Sequence, residues 1–168
     1  IIMTRIIGSP LRYIQGYDEI RNLYQHLKVW GKSFFIIIGP NSAKVVLDDV
    51  KKSFISCKGK VVYATFTGEA SDKHIAELVK KVKQSKCDCV VGIGGGKCVD
   101  TTKAVAYKTN THCVLVPTSA SCDAFCAHSA VIYNIKHEFI GVCYPYKSPD
   151  LVIVDTKIIA NSPLRLFK

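Results

Sequence analysis

The sequence predicts an α/β domain: an open, mostly parallel sheet with helices on both faces. Three observations carry that prediction. Strand-sized apolar runs such as residues 34–38 recur along the chain, and segments with helical apolar spacing separate them. A triple-glycine turn, Gly94-Gly95-Gly96-Lys97, joins one such run to one such segment.

The elements follow in order. Tyr13-Ile14-Gln15 reads as an edge strand. Asp18 and Glu19 suit a helix start, because carboxylates favour the positive end of the helix dipole; Ile20, Leu23, Tyr24 and Leu27 then follow at i, i+3, i+4 and i+7. Residues 33–38 form a continuous apolar strand that ends at Gly39-Pro40. Ser42 is placed to cap a helix reaching about Phe54, with Val46 and Val50 turned inward. Residues 61–66 form a second strand, and Ser71 caps a helix whose Ile75, Leu78, Val79 and Val82 share one face.

A strand ending at Ile93 meets the glycine turn, which opens a helix over residues 97–108 with Lys103 and Lys108 on its outer sides. Residues 112–116 form the next strand. Beyond Pro117 the chain becomes a Ser-, Cys- and Ala-rich loop. Residues 129–133 and 139–144 then read as a small β-hairpin outside the main sheet, and residues 151–154 as a last strand. One domain spans residues 1–168.

Ligands of open α/β sheets sit at the carboxyl ends of the strands. Gly39-Pro40-Asn41, Thr67-Gly68-Glu69, residues 94–97 and residues 118–123 all fall there. The glycine turn is built for an anion, since the first N–H groups of a helix are unpaired and glycine lets a phosphate come close. Its spacing is neither of the familiar phosphate motifs. A P-loop needs glycine where Val91 stands and Ser or Thr where Cys98 stands; the dinucleotide fingerprint from Gly92 needs glycine where Lys97 stands. A glycine-rich turn with no ligand is the competing reading.

Composition narrows the functional classes. Hydrophobic residues make up 48% of the 168 and charged ones 21%, which excludes a disordered chain. No apolar run approaches the length of a membrane span, and the first residues carry no secretory pattern. The net charge of +10 is spread over scattered lysines without interleaved aromatics, so nucleic acid is not the expected partner. A basic solvated face suits an anionic cofactor instead. Eight cysteines include no C-x-x-C pair; Cys87 and Cys89 lie two apart, Cys122 and Cys126 four apart, and Cys89, Cys113 and Cys143 sit in apolar runs. Reduced, buried thiols in a cytoplasmic protein are expected.

Four stretches carry a family resemblance: "RIIGSPLRYIQGYDEIRNL", "VVGIGGGKCVDTTKAVA", "VPTSASCDAFCAHSAVIY" and "LVIVDTKIIANSPLRL". Together they resemble the N-terminal, nucleotide-binding half of the glycerol dehydrogenases, members of the iron-containing or group III polyol dehydrogenases. The resemblance implies a Rossmann-like sheet of the dehydroquinate synthase type and gives the glycine turn its ligand, the pyrophosphate of NAD. Gly94, Gly95, Gly96 and Lys97 match the pyrophosphate turn, Asp100 a cofactor-contacting aspartate, Thr118 and Ser121 the cofactor loop, and Tyr133 the tyrosine near the nicotinamide. Asp123 matches the carboxylate beside the substrate hydroxyls of glycerol or another small polyol.

The resemblance also implies a second, helical domain that supplies one aspartate and two histidines to a catalytic metal, usually zinc, and a homo-oligomer in the complete enzyme. His26, His74, His112, His128 and His137 stand at no ligand spacing, so no metal site is expected in this chain. Pro40, followed by Asn41, occupies the place of the aspartate that binds the adenosine ribose. Asn41 can bond that ribose without repelling a 2′-phosphate, so NADP is not excluded. Phe125, Ala127, His128 and Ser129 replace the family's usual proline, serine, alanine and leucine. The short chain is expected to be inactive alone. A polyol-phosphate dehydrogenase of the same superfamily and a non-catalytic dinucleotide-binding module are the alternatives.

Overall fold

Alternate side chains of one strand divide the core into two halves. Phe34, Ile36 and Ile38 pack with Val46, Val50 and Phe54 on one face of the sheet. Phe35 and Ile37 pack with Ile75, Leu78, Val82, Val99 and Val105 on the other. All five residues of this strand are buried, which explains why its sequence shows no polar alternation.

The computed structural model describes residues 8–121, 123–134 and 136–166, so Cys122 lies outside the described residues. Strands β1 (Arg12–Gly16), β2 (Phe34–Ile38), β3 (Val61–Thr65), β4 (Cys89–Gly94) and β5 (His112–Pro117) alternate with α1 (Leu23–Leu27), α2 (Pro40–Ser53), α3 (Asp72–Ser85) and α4 (Gly96–Thr109). The hairpin β6 (Ala130–Tyr133) and β7 (Phe139–Cys143) follows, then β8 (Leu151–Asp155) and α5 (Thr156–Ala160). The main sheet has six strands in the order β1-β8-β5-β4-β2-β3, and every pairing in it is parallel. The hairpin forms a separate antiparallel pair, as its position between turn residues predicts.

Several local expectations change. The chain enters α2 through Gly39 and Pro40, with no side-chain cap; Ser42 instead bonds Thr118. Proline at the first helical position has its φ preset and loses no helical hydrogen bond, so the helix starts three residues earlier than a serine cap would place it. Asp18 takes a left-handed conformation (φ 62°), and a 3₁₀ turn over Glu19–Asn22 precedes the short α1, so the expected single helix is split. Ser71 does cap α3, accepting from the N–H of His74.

The strongest departure is on α4. Residues 98–106 are all buried, because the sheet lies under one side of the helix and the hairpin and loop 118–129 cover much of the rest. Lys103 is therefore inside, 3% exposed, and not on an outer face. The seven described cysteines are free thiols, and Cys89, Cys98 and Cys113 are buried among the strands and helices.

Candidate functional site

The strand order reverses at β2. Its successor β3 lies on one side of it and β4 on the other, while α2 packs on one face of the sheet and α4 on the opposite one. The two helix N-termini thus diverge from a crevice at the carboxyl ends of β2 and β4, the switch point where open α/β sheets hold ligands. The crevice has a volume of about 240 Å³ and is lined by Gly39, Pro40, Asn41, Ser42, Phe66 and residues 95–98. Neither helix has a side-chain cap at this end. Their first N–H groups and dipoles are left to an anion.

Each glycine here has its own reason. A Cβ on Gly94 would stand 2.8 Å from the Cβ of Cys98, so tight packing of α4 on β4 requires glycine there. Gly94 is buried, and its carbonyl accepts from the Thr118 N–H at 3.1 Å. Gly95, the N-cap of α4, is exposed and extended (φ −84°, ψ −175°), and a Cβ on it would meet nothing within 4 Å. Packing does not demand glycine at that point. It leaves open space at a bare helix N-terminus, a geometry suited to an anion.

The sequence-derived residues divide into groups. Asn41, Gly95, Gly96 and Lys97 share the crevice. Thr118 reaches its rim, its hydroxyl 3.0 Å from that of Ser42, which the sequence places only as a helix cap. Ser121 bonds the Ser119 hydroxyl at 3.0 Å, and Asp123 is exposed on the same loop. Tyr133 donates its N–H to Ala70 O at 2.9 Å and sets its ring edge-on to Phe139. Asp100 does not face the crevice: it pairs with Lys103 at 2.9 Å beneath the loop that carries Asp123. Burial raises the Asp100 carboxyl above its ordinary range, and Lys103 offsets only part of that.

The sequence places Glu69 at the ligand edge of the sheet without a specific role, and gives His137 none. Glu69 is 7% exposed and holds the Lys97 ammonium at 2.7 Å and the His137 Nδ1 at 2.9 Å on the same oxygen. Burial pushes its carboxyl up, but Lys97, His137 and the Ala70 N–H together bring it below the ordinary value. Lys97 itself is 61% exposed along its side chain, so its stem stays wet while its head is tethered. Gly68 (φ 89°) makes the turn that aims Glu69 at α4, which is the one local signal that marks the carboxylate. No local signal marks His137. Among the described residues no three His, Cys, Asp or Glu side chains converge as a metal site.

The sequence and the fold both match known proteins. The family model described as iron-containing alcohol dehydrogenase matches residues 10–156. Glycerol dehydrogenase of Escherichia coli is 38% identical over 164 residues, which is 98% of this chain and 45% of that enzyme. Glycerol dehydrogenase of Thermotoga maritima is 42% identical over 158 residues, 93% of this chain and 42% of its own length. The crystal structure of a probable glycerol dehydrogenase from Sinorhizobium meliloti superposes with a TM-score of 0.86 at 32% identity, over 98% of this chain and 44% of that one. The chain spans less than half the length of each of these relatives.

Proposed function

The chain belongs to the iron-containing alcohol dehydrogenase family, and on that premise we propose that it is the NAD-binding half of a glycerol dehydrogenase, which converts glycerol to dihydroxyacetone. The observation that carries the proposal is the open position at Gly95 between two uncapped helix N-termini at the switch point. A pyrophosphate fits there: the N–H groups of Gly96 and Lys97 donate to it, and both helix dipoles favour its charge. Lys97 adds a positive charge at the mouth, held in place by Glu69.

In this reading Asn41 bonds the adenosine ribose from the first turn of α2, and Ser42 and Thr118 close the crevice beside the phosphates. Tyr133 stands on the nicotinamide side. NAD, when bound, supplies the hydride acceptor. Asp123, exposed on its loop, accepts hydrogen bonds from the polyol hydroxyls. The described residues do not fit a catalytic metal, so no step is assigned to one here. The metal ligands of the complete enzyme belong, in this proposal, to a second, helical domain. A reducing, cytoplasmic setting suits the free thiols.

The test is a titration of the purified chain with NADH, followed by fluorescence, with ADP-ribose as competitor. Saturable enhancement displaced by ADP-ribose supports the proposal. A chain that is folded by circular dichroism and shows no saturable enhancement at millimolar NADH would remove it.

A further inference from the structure

Lys103 is among the most deeply buried charged groups of the chain, and the sheet does not need it. Its side chain is 2% exposed, two turns into α4. The ammonium has three N–H bonds to give and four oxygens to receive them. It bonds Asp100 Oδ1 at 2.9 Å, Ala124 O at 2.6 Å, Ala127 O at 3.3 Å and the carbonyl of Ser129. The three carbonyls belong to a segment with no strand or helix of its own, which carries Ser121 and Asp123 and leads into β6.

Among the described residues, few other hydrogen bonds fix the loop. The Asp123 carbonyl accepts from the Cys126 and Ala127 N–H groups, making one turn, and the Ser119 and Ser121 hydroxyls bond each other. Ala124 and Phe125 pack against the core half that holds Val99 and Val105, but apolar contact orients no carbonyl. The Lys103 ammonium does, by gathering carbonyls from three positions around one point on the helix that begins at the glycine turn. A methionine would fill the same volume at lower desolvation cost, but it cannot orient carbonyls. The ammonium therefore sets a geometry that apolar packing would leave open.

We propose that Lys103 is a positioning residue: from α4 it holds the loop bearing Ser121 and Asp123 in register with the phosphate turn at the start of the same helix. The inference rests on the proposed function for what the loop does, but not for what holds it. Asp100 belongs to the same device, as the counter-charge that makes a buried ammonium tolerable. This explains why Asp100 faces the loop while the crevice lies a turn away.

The experiment is hydrogen exchange on the whole chain, comparing wild type with Lys103→Met, together with titrations by NAD and by ADP-ribose, which lacks the nicotinamide. Amides of residues 123–130 are expected to exchange about tenfold faster in the variant, while those of β4 and β5 stay as protected as before. NAD affinity should fall about fivefold and ADP-ribose affinity less than about twofold, since the phosphate turn is untouched. Unchanged loop exchange would overturn the inference, and so would equal acceleration of loop and sheet, or equal loss of both ligands. If wild type binds neither ligand, the proposed function fails while the exchange data still decide the role of Lys103. Should Lys103→Met fail to fold, Asp100→Asn keeps the ammonium and removes its counter-charge. Loop exchange in that variant must still rise against an unchanged sheet, and equality with wild type would again refute the positioning role.

Discussion

Replacing Gly95 with valine separates the ligand from the fold more cleanly than any other change in the crevice. The backbone there is extended at φ −84° and ψ −175°, a conformation valine adopts freely, and its Cβ would meet nothing within 4 Å. The cost to folding is confined to a poorer N-cap on α4, about 1 kcal/mol, or about 2–4 °C in Tm for a chain of this size. The cost to binding is larger. The branched side chain would occupy the space in which an anion meets the first N–H groups of α4, and a hydrogen bond to a charged group contributes about 1.5–3 kcal/mol. Loss of a single such bond weakens NAD binding about tenfold or more, since tenfold corresponds to about 1.4 kcal/mol. Isothermal calorimetry with NAD, paired with thermal unfolding of the free protein, reads both quantities. A Gly95→Val variant with near-wild-type Tm and unchanged NAD affinity would refute the phosphate assignment.

The other predictions address different parts of the molecule. Pro40→Asp places a carboxylate at the start of α2 beside Asn41; NADP should bind more weakly while NAD does not, and a parallel shift of the two dissociation constants would place the side chain away from the ribose. Glu69 has a folded pKa below its ordinary one, so its stabilising contribution is complete above about pH 4.3 and fades as pH falls through the lower folded value. The Tm gap between wild type and Glu69→Gln should accordingly be full at neutral pH and close in acid; a gap constant down to about pH 3 would contradict the assignment. Burial pushes the Cys98 and Cys113 thiols up to about 12, so alkylation of the native chain near pH 8 should mark the half-buried Cys57 and Cys126 well before these two, as read by peptide mass mapping. Finally, the 168-residue chain with zinc, NAD and glycerol should show no steady-state turnover: an alcohol gives up hydride readily only as it becomes an alkoxide, and a carboxylate by itself is too weak a base to bring that about. Turnover at a rate near that of a full-length relative would overturn this prediction and the role given to Asp123.

The sheet was readable because its inner strands are buried on both faces. Residues 34–38 and 89–94 are apolar or glycine throughout, and the helices between them repeat apolar residues at a spacing that strands cannot satisfy. The hairpin was readable from its turn residues. The crevice was readable in part, since Gly95, Gly96 and Lys97 announce an anion site by their place between strand and helix. Strand order was not readable from residue patterns, yet it is strand order that brings Asn41 and Ser42 opposite the glycine turn.

What escaped the sequence shares one physical cause. Periodicity assigns charged side chains to solvent, and for scattered surface lysines that is correct. It fails for Glu69, Lys103, Asp150 and Asp155, all under about a tenth exposed. Each of these bonds main-chain groups in loops or near the ends of strands and helices, where a ladder or helical partner is lacking. Asp155 accepts from the N–H groups of Asp18, Ile20, Lys157 and Ile158; Asp150 accepts from the Cys113 N–H; Glu69 accepts from Ala70 while holding Lys97 and His137; Lys103 serves three loop carbonyls. Buried backbone must be paired, and where no ladder or helix does it, an ionised side chain is the strongest available partner. Many of these partners lie far off in sequence: Glu69 and His137 are 68 residues apart, and they meet because the Tyr133 N–H reaches Ala70 O and lays the turn end of the hairpin beside the β3–α3 turn. No window along the chain contains that contact. The irregular segments around the crevice are thus fixed by charges whose partners only the topology can supply, and substitutions there should loosen loops before they weaken the core.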